Sequence, residues 1–325
     1  MPAASSRRMA ERATRQQRLD VPLSAAGERL DAWLAAALDG PSRARIRRLI
    51  EAGALELDGR PERKLSRKLA GGERLTLALD PEPEAPRLVP NPALSVVLLH
   101  VDADLLVVDK PAGLVVHPAA GHADDTLVNA LAAMFPDVPA AFPDSMRPGL
   151  VHRLDRDTSG VMVVARHPAA AASLKAQFKA RSVDKLYGTL VRGTLSPLEG
   201  LIEAPIGRDP QRRKRMALRL DGKAARTGYR VLAQAEGYSW VEARLLTGRT
   251  HQIRVHMAGL GHPVVGDMVY GKRDRRIARL ALHAWRLAFD QPSSGLRIAF
   301  EAPLPDDLCR ALAELGIDPE IGRTR

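Results

Sequence analysis

The chain predicts an α+β fold in two parts, a small α/β module followed by a large domain built on a mixed, antiparallel-rich sheet. Three observations carry that prediction. Apolar residues at helical spacing (Leu30, Trp33, Leu34, Leu38) precede a basic helix and short alternating runs. Prolines at 81, 83, 86, 90 and 92 then interrupt all regular structure. Beyond them, strand-like runs follow one another without the regular strand–helix alternation of a parallel sheet.

Taken in order, residues 1–16 read as a basic disordered arm. A mitochondrial transit peptide is the rival reading, disfavoured because Glu11 interrupts the arm and no apolar face is formed. Residues 17–80 form the module. After the first helix, Pro41-Ser42 caps a second from about Arg43 to Ala52. Ile46, Leu49 and Ile50 make its apolar stripe, which leaves Arg43, Arg47 and Arg48 for solvent or phosphate. Gly53 stops it, Ala54–Leu57 alternates toward an Asp58-Gly59 turn, and Leu75–Leu79 closes the module as a strand. Residues 81–92 form an extended linker. The large domain spans 93–312, and 313–325 is a C-terminal tail. Its expected strands are Val96–Val101, Leu105–Val108, Lys185–Arg192, Gly228–Gln234, Trp240–Leu246 and Leu282–Phe289, with a helix over Thr126–Phe135.

Composition narrows the chemistry. A formal charge of +11 implies a polyanionic partner, nucleic acid or an anionic membrane. No apolar stretch approaches a membrane span, so a soluble, cytoplasmic protein is expected. The single cysteine, Cys309, excludes an internal disulfide and a thiolate metal cluster. It also sits among Asp306, Asp307 and Leu308, a poor place for a reactive thiolate. His251 and His256 are five apart and do not share a helix face as paired zinc ligands would. Gly259, Gly261 and Gly266 lack dinucleotide-binding spacing, and Gly266–Lys272 mimics a phosphate loop but has Arg273 in place of the hydroxyl residue. That segment reads as a turn, and no metal or cofactor is expected.

The densest chemistry lies in His152-Arg153-Leu154-Asp155-Arg156-Asp157-Thr158-Ser159-Gly160. A carboxylate among cations favours its ionised form and suits a nucleophile. A calcium loop fails because Arg166 stands where a bidentate Glu is needed. An aspartic protease would need a second Asp motif. On these residues alone a plain charged turn stays open.

The whole string resembles the H-R-L-D-x-x-T-S-G signature of the RluA-type pseudouridine synthases. So do Val108–Pro118 (its D-K-P-x-G motif), Lys185-Leu186-Tyr187, the Thr247–His256 stretch with Thr-Gly-Arg-Thr-His-Gln-Ile-Arg, and Leu282-His283-Ala284. These occur in family order over about two thirds of the chain. The resemblance implies that Asp155 is the nucleophile and that Arg254 pairs with it. It further implies that Tyr187 is a stacking platform and possible proton acceptor, and that Arg153 fills the gap left by a flipped uridine. Thr189 departs from the small residue usual after the tyrosine motif. The family's reaction breaks the N1–C1′ bond of uridine and joins C5 to C1′, with no redox carrier or group donor. Attack on the sugar and elimination from it both remain open routes. Asp157, His152 and Ser159 are read as loop-holding residues.

Arg29-Leu30-Asp31, Ser42-Arg43, Leu49–Gly53 and Gly71–Leu75 resemble the S4 RNA-binding domain. Five cations lie between Arg208 and Arg215, and Arg212, Arg213, Lys214 and Arg215 read as a mobile clamp on an RNA backbone. An S4-like module before such a catalytic domain resembles the synthases acting on large-subunit (23S) ribosomal RNA or its precursor particle. A monomer is expected. Action on tRNA, an inert S4-type binding protein, and a carboxylate hydrolase that frees the base are the rival functions.

Overall fold

The computed structural model describes residues 16–38, 43–78, 88–143, 145–212 and 215–322. It divides into two units, Met1–Ala85 and Pro86–Arg325.

The first unit holds β1 (Gln16–Asp20), α1 (Leu30–Ala37), α2 (Arg43–Glu51), β2 (Leu55–Leu57), β3 (Arg60–Pro61) and β4 (Arg74–Ala78). Its antiparallel sheet runs β1-β4-β2-β3. Leu30 and Leu34 of α1 meet Ile46, Leu49 and Ile50 of α2, and alternate strand residues Leu55, Leu57, Leu75 and Leu77 complete the core. Each such side chain contributes roughly 1.5–3 kcal/mol on burial. The β2–β3 turn is made by Asp58 and Gly59, both at positive φ (49° and 74°), as a two-residue hairpin turn requires. Pro41-Ser42 lies outside the described residues. One boundary differs from expectation. Gln16, assigned to the disordered arm, opens strand β1, whose residues pair one by one with β4. Gln-Gln-Arg has little strand preference of its own, so the ladder offered by a distant strand decides.

The second unit holds β5 (Val97–Val101), β6 (Leu105–Lys110), α3 (Leu127–Met134), α4 (Asp137–Ala141), β7 (Ser159–Ala165), α5 (Pro168–Ala180) and β8 (Asp184–Arg192). It continues with β9 (Glu199–Glu203), β10 (Ile206–Arg208), β11 (Met216–Leu218), β12 (Arg226–Ala235), β13 (Tyr238–Leu245), α6 (Gln252–Gly259), β14 (Leu282–Asp290), β15 (Arg297–Glu301) and α7 (Asp306–Ala313). Its main sheet runs β5-β6-β7-β14-β8-β13-β12-β9, with β15 also paired to β14. The pairings are antiparallel apart from β7 with β14. The fold is α+β, as predicted. At that parallel pairing Gly160 (φ 116°) comes so close that a Cβ would press into the Ala284 carbonyl, so glycine is needed there. Helix α5 was not predicted: its alanine run hides the apolar period, although Pro168 stands in its first turn and the His167 ring accepts from the Ala170 amide.

Two expected boundaries shift. The first part of the proline linker, 81–87, lies outside the described residues, but its end is not a free spacer. Asn91 donates from its amide to the Asp124 carbonyl, and the Asn129 side chain donates to Val89. In the segment read as a tail, Leu315 and Ile317 are buried in the core behind α7. Cys309 is half-buried on that helix, its thiol facing the Leu304 carbonyl. Among the described residues no helix is long and apolar enough to cross a membrane.

Candidate active site

Asp155 opens a tight turn that feeds β7, with the Thr158 amide donating to its carbonyl at 3.2 Å. The turn is held from below by Lys110 at the end of β6, which is fully buried. Its Nζ donates to the carbonyls of Pro111, Leu114 and Arg156 at 2.7, 3.0 and 3.0 Å. Burial pulls the Lys110 pKa down to about 7, against the attraction of Asp157 and Asp155. The upstream motif and the Asp155 motif are thus one hydrogen-bonded unit.

The three residues read as loop-holding are engaged within the fold. The His152 ring accepts from the Val163 amide and stacks on Phe178. Burial, then the charge of Lys185, lowers the His152 pKa to about 3, so the ring is neutral. Ser159 bonds to His283 at 2.9 Å, and Asp157 pairs with its neighbour Arg156.

Arg254 reaches Asp155 from α6, 99 residues away in the chain, with Nη1 donating to Oδ2 at 3.0 Å. Its other edge forks onto Asp267, Nε to Oδ2 at 2.7 Å and Nη2 to Oδ1 at 2.9 Å. Asp267 also accepts from the amides of Val269 and Tyr270. Burial pushes the Asp267 pKa up, but these hydrogen bonds and the Arg254 charge outweigh it and hold the group below the usual carboxylate range. Burial likewise works against the charge on Arg254, yet Asp267 and Asp155 raise its pKa above the ordinary value. The Gly266–Lys272 segment, read as a plain turn, therefore supplies the residue that aims Arg254. No local sequence feature marks Asp267 for that task.

Gln252 anchors the start of α6. Its amide donates to the Arg226 carbonyl and the Thr227 hydroxyl, and its oxygen accepts from Thr247 Oγ1 and the Arg249 amide. His256 is buried between Thr227 and the Ala204 carbonyl, so it holds structure.

Asp155, Arg254, Gln252 and His152 line a cavity of about 500 Å³. Tyr187 forms part of its wall from β8, paired with Ala243 on one side and Ala284 on the other. Burial first, then the Asp155 charge, raises the Tyr187 pKa well above the ordinary phenol value. Both causes favour the neutral phenol at the cavity wall. Arg153 is exposed on the rim and, among the described residues, forms no ion pair.

Arg47 is exposed and pairs with Glu51, Arg48 is half-buried, and the Arg43 side chain lies outside the described residues. Arg213 and Lys214 lie outside them too. Arg212 is exposed, while Arg215 rests over the Tyr270 ring, 4.9 Å from its centroid. Arg208 belongs to β10 rather than to the loop.

Residues 104–259 match the family model described as RNA pseudouridylate synthase, and residues 28–75 match the S4 domain. An "Uncharacterized RNA pseudouridine synthase" of Chloroflexus aurantiacus is 48% identical, with 91% of this chain and 92% of the relative covered. "Ribosomal large subunit pseudouridine synthase D" of Pseudomonas aeruginosa is 42% identical, with 94% and 97% covered. Among solved structures, "Human RNA Pseudouridylate Synthase Domain Containing 1" aligns with a TM-score of 0.56 at 31% identity, over 68% of this chain and 89% of that one.

Proposed function

The chain belongs to the RNA pseudouridylate synthase family, and on that premise we propose that it isomerises uridines of large-subunit ribosomal RNA with Asp155 as its nucleophile. The observation that carries the site is the Asp155–Arg254 pair at the wall of the cavity, with Asp267 holding Arg254 from behind. A flipped uridine enters that cavity, a step that costs a few kcal/mol of lost stacking and pairing. Arg153 on the rim occupies the space left in the RNA, and the Tyr187 ring packs against the base. Asp155 acts at the ribose, the N1–C1′ bond breaks, and the base turns. C5 then bonds to C1′, C5 loses its proton, and N1 regains one, so the reaction is balanced without a donor.

Two observations support the ribosomal substrate. An S4 unit precedes the catalytic unit in one chain, and several relatives of nearly equal length carry the large-subunit name. A second RNA-binding unit adds phosphate contacts away from the flipped base, which helps most on a large, folded RNA. The reading includes a cytoplasmic monomer.

Carbodiimide mapping of pseudouridine in RNA from cells with and without the protein tests the substrate. Loss of sites in large-subunit RNA is expected, and loss confined to tRNA would overturn it. Removing residues 1–85 should weaken action on ribosomal particles far more than on a short stem-loop. It should also flatten the slope of log affinity against log salt by roughly 0.7–0.9 for each phosphate that is no longer neutralised.

Tyr187→Phe keeps the ring, whose stacking contributes about 1–3 kcal/mol, and removes the hydroxyl. RNA binding should survive while the single-turnover rate falls. An unchanged rate with weakened binding would reduce Tyr187 to a binding residue.

A further inference from the structure

Tyr270 and His251 form a chain from the basic loop to the nucleophile. Tyr270 Oη accepts from the Met216 amide at 2.8 Å, directly after Arg215, whose guanidinium lies over the Tyr270 ring. The same hydroxyl lies 2.9 Å from His251 Nδ1. A phenol has one proton to give. We take the phenol to give that proton to Nδ1, which leaves the ring's own proton on Nε2. The ring is neutral, since burial lowers the His251 pKa more than Asp155 raises it.

His251 Nε2 faces Asp155 Oδ2 at 3.9 Å, the oxygen that Arg254 Nη1 already holds at 3.0 Å. Among the described residues, Oδ1 receives no side-chain or amide donor. The backbone of His251 is left-handed (φ 56°, ψ 24°) at the entry to α6. That conformation is uncommon for a residue other than glycine and points to a position imposed by its surroundings. Two cations rest against the Tyr270 ring, Arg215 at 4.9 Å and Arg254 at 5.1 Å from its centroid.

We infer that His251, with its tautomer set by Tyr270, is a positioning residue that stands beside the Arg254 donor, its Nε2 3.9 Å from Oδ2 of Asp155 and so beyond hydrogen-bond length, and leaves Oδ1 as the oxygen that reacts at the ribose. The inference rests on the proposed role of Asp155. It also ties the basic loop to the chemistry, because the Met216 amide holds the hydroxyl that orients the histidine and Arg215 lies over the same ring. A donor fixed on one carboxylate oxygen, with a second N–H held nearby, needs no rearrangement when charge leaves or returns to the other.

Two substitutions at His251 separate positioning from mere structure. Asn tolerates the left-handed backbone and keeps an acceptor near the Nδ1 position, but has nothing at the Nε2 position. Gln fits that backbone less well and reaches the Nε2 position with a donor. At saturating RNA, His251→Asn should lower the single-turnover rate by about tenfold or more, less than the roughly 10²–10³ that loss of a directly bonded preorganised donor produces, because the contact is long. His251→Gln should recover most of that loss. Tyr270→Phe, which keeps the ring against its two arginines, should also slow the step while affinity holds. Equal rates for the Asn and Gln variants, or a faster Asn variant, would overturn the inference, as would full activity of Tyr270→Phe. Asp155→Asn serves as the separate control: if it stays active, the nucleophile reading falls; if it is dead while the His251 pair is equal, only the positioning role falls.

Discussion

Replacing Asp155 with Asn lowers the isomerisation rate by roughly four to six orders of magnitude, the range in which loss of a nucleophile falls, while RNA affinity changes little. The substitution keeps the shape of the group and an oxygen for Arg254 Nη1, which now stands 3.0 Å from Oδ2. It removes the negative charge that makes the group a nucleophile. The cavity wall and the rim arginine are untouched, so the contacts that bind RNA persist. Single-turnover conversion of a labelled RNA, beside a binding titration, measures both quantities. A variant that still converts uridine at a comparable rate would remove Asp155 from the chemistry.

Asp267→Ala is the second large effect. It is expected to destabilise the catalytic unit by about 3–5 kcal/mol, because it leaves a buried guanidinium without its main partner. Arg254 is only 8% exposed and Asp267 1%, so solvent does little to compensate. The rate should fall as well, since the fork from Nε and Nη2 is what aims Nη1 at Asp155. Asp267→Asn should be milder, because an oxygen remains for the amides of Val269 and Tyr270. The sign of the pH dependence follows from the lowered folded-state pKa of Asp267, where Arg254 outweighs burial. The stabilisation is complete above the ordinary carboxylate pKa and is lost as acid protonates the folded group. Wild-type unfolding should therefore steepen in acid relative to Asp267→Asn. Denaturant titrations across that range measure it, and an Ala variant as stable as wild type would refute the pairing as a source of stability.

Local patterns in the chain reveal much of this architecture. Ile46, Leu49 and Ile50 mark one face of α2 because a helix brings them together within two turns. The runs around Leu105 and Val161 are apolar because β6 and β7 are buried strands. Helix α5 escapes the same reading because alanines carry no strong period. Strand β1 escapes it because its partner lies across the module.

The sequence by itself determined the two-part α+β plan, the family motifs in order and the candidate nucleophile, since each is written in contiguous residues. Only the tertiary structure decided that Asp267, Tyr270 and His251 converge on Asp155. Asp155 and Arg254 are 99 positions apart, and Arg254 and Asp267 are 13. Whether a carboxylate in a turn is solvated or buried against a guanidinium depends on which strands bring the two together. Electrostatic attraction falls with distance and with solvent access, and neither quantity is set by neighbours in the chain.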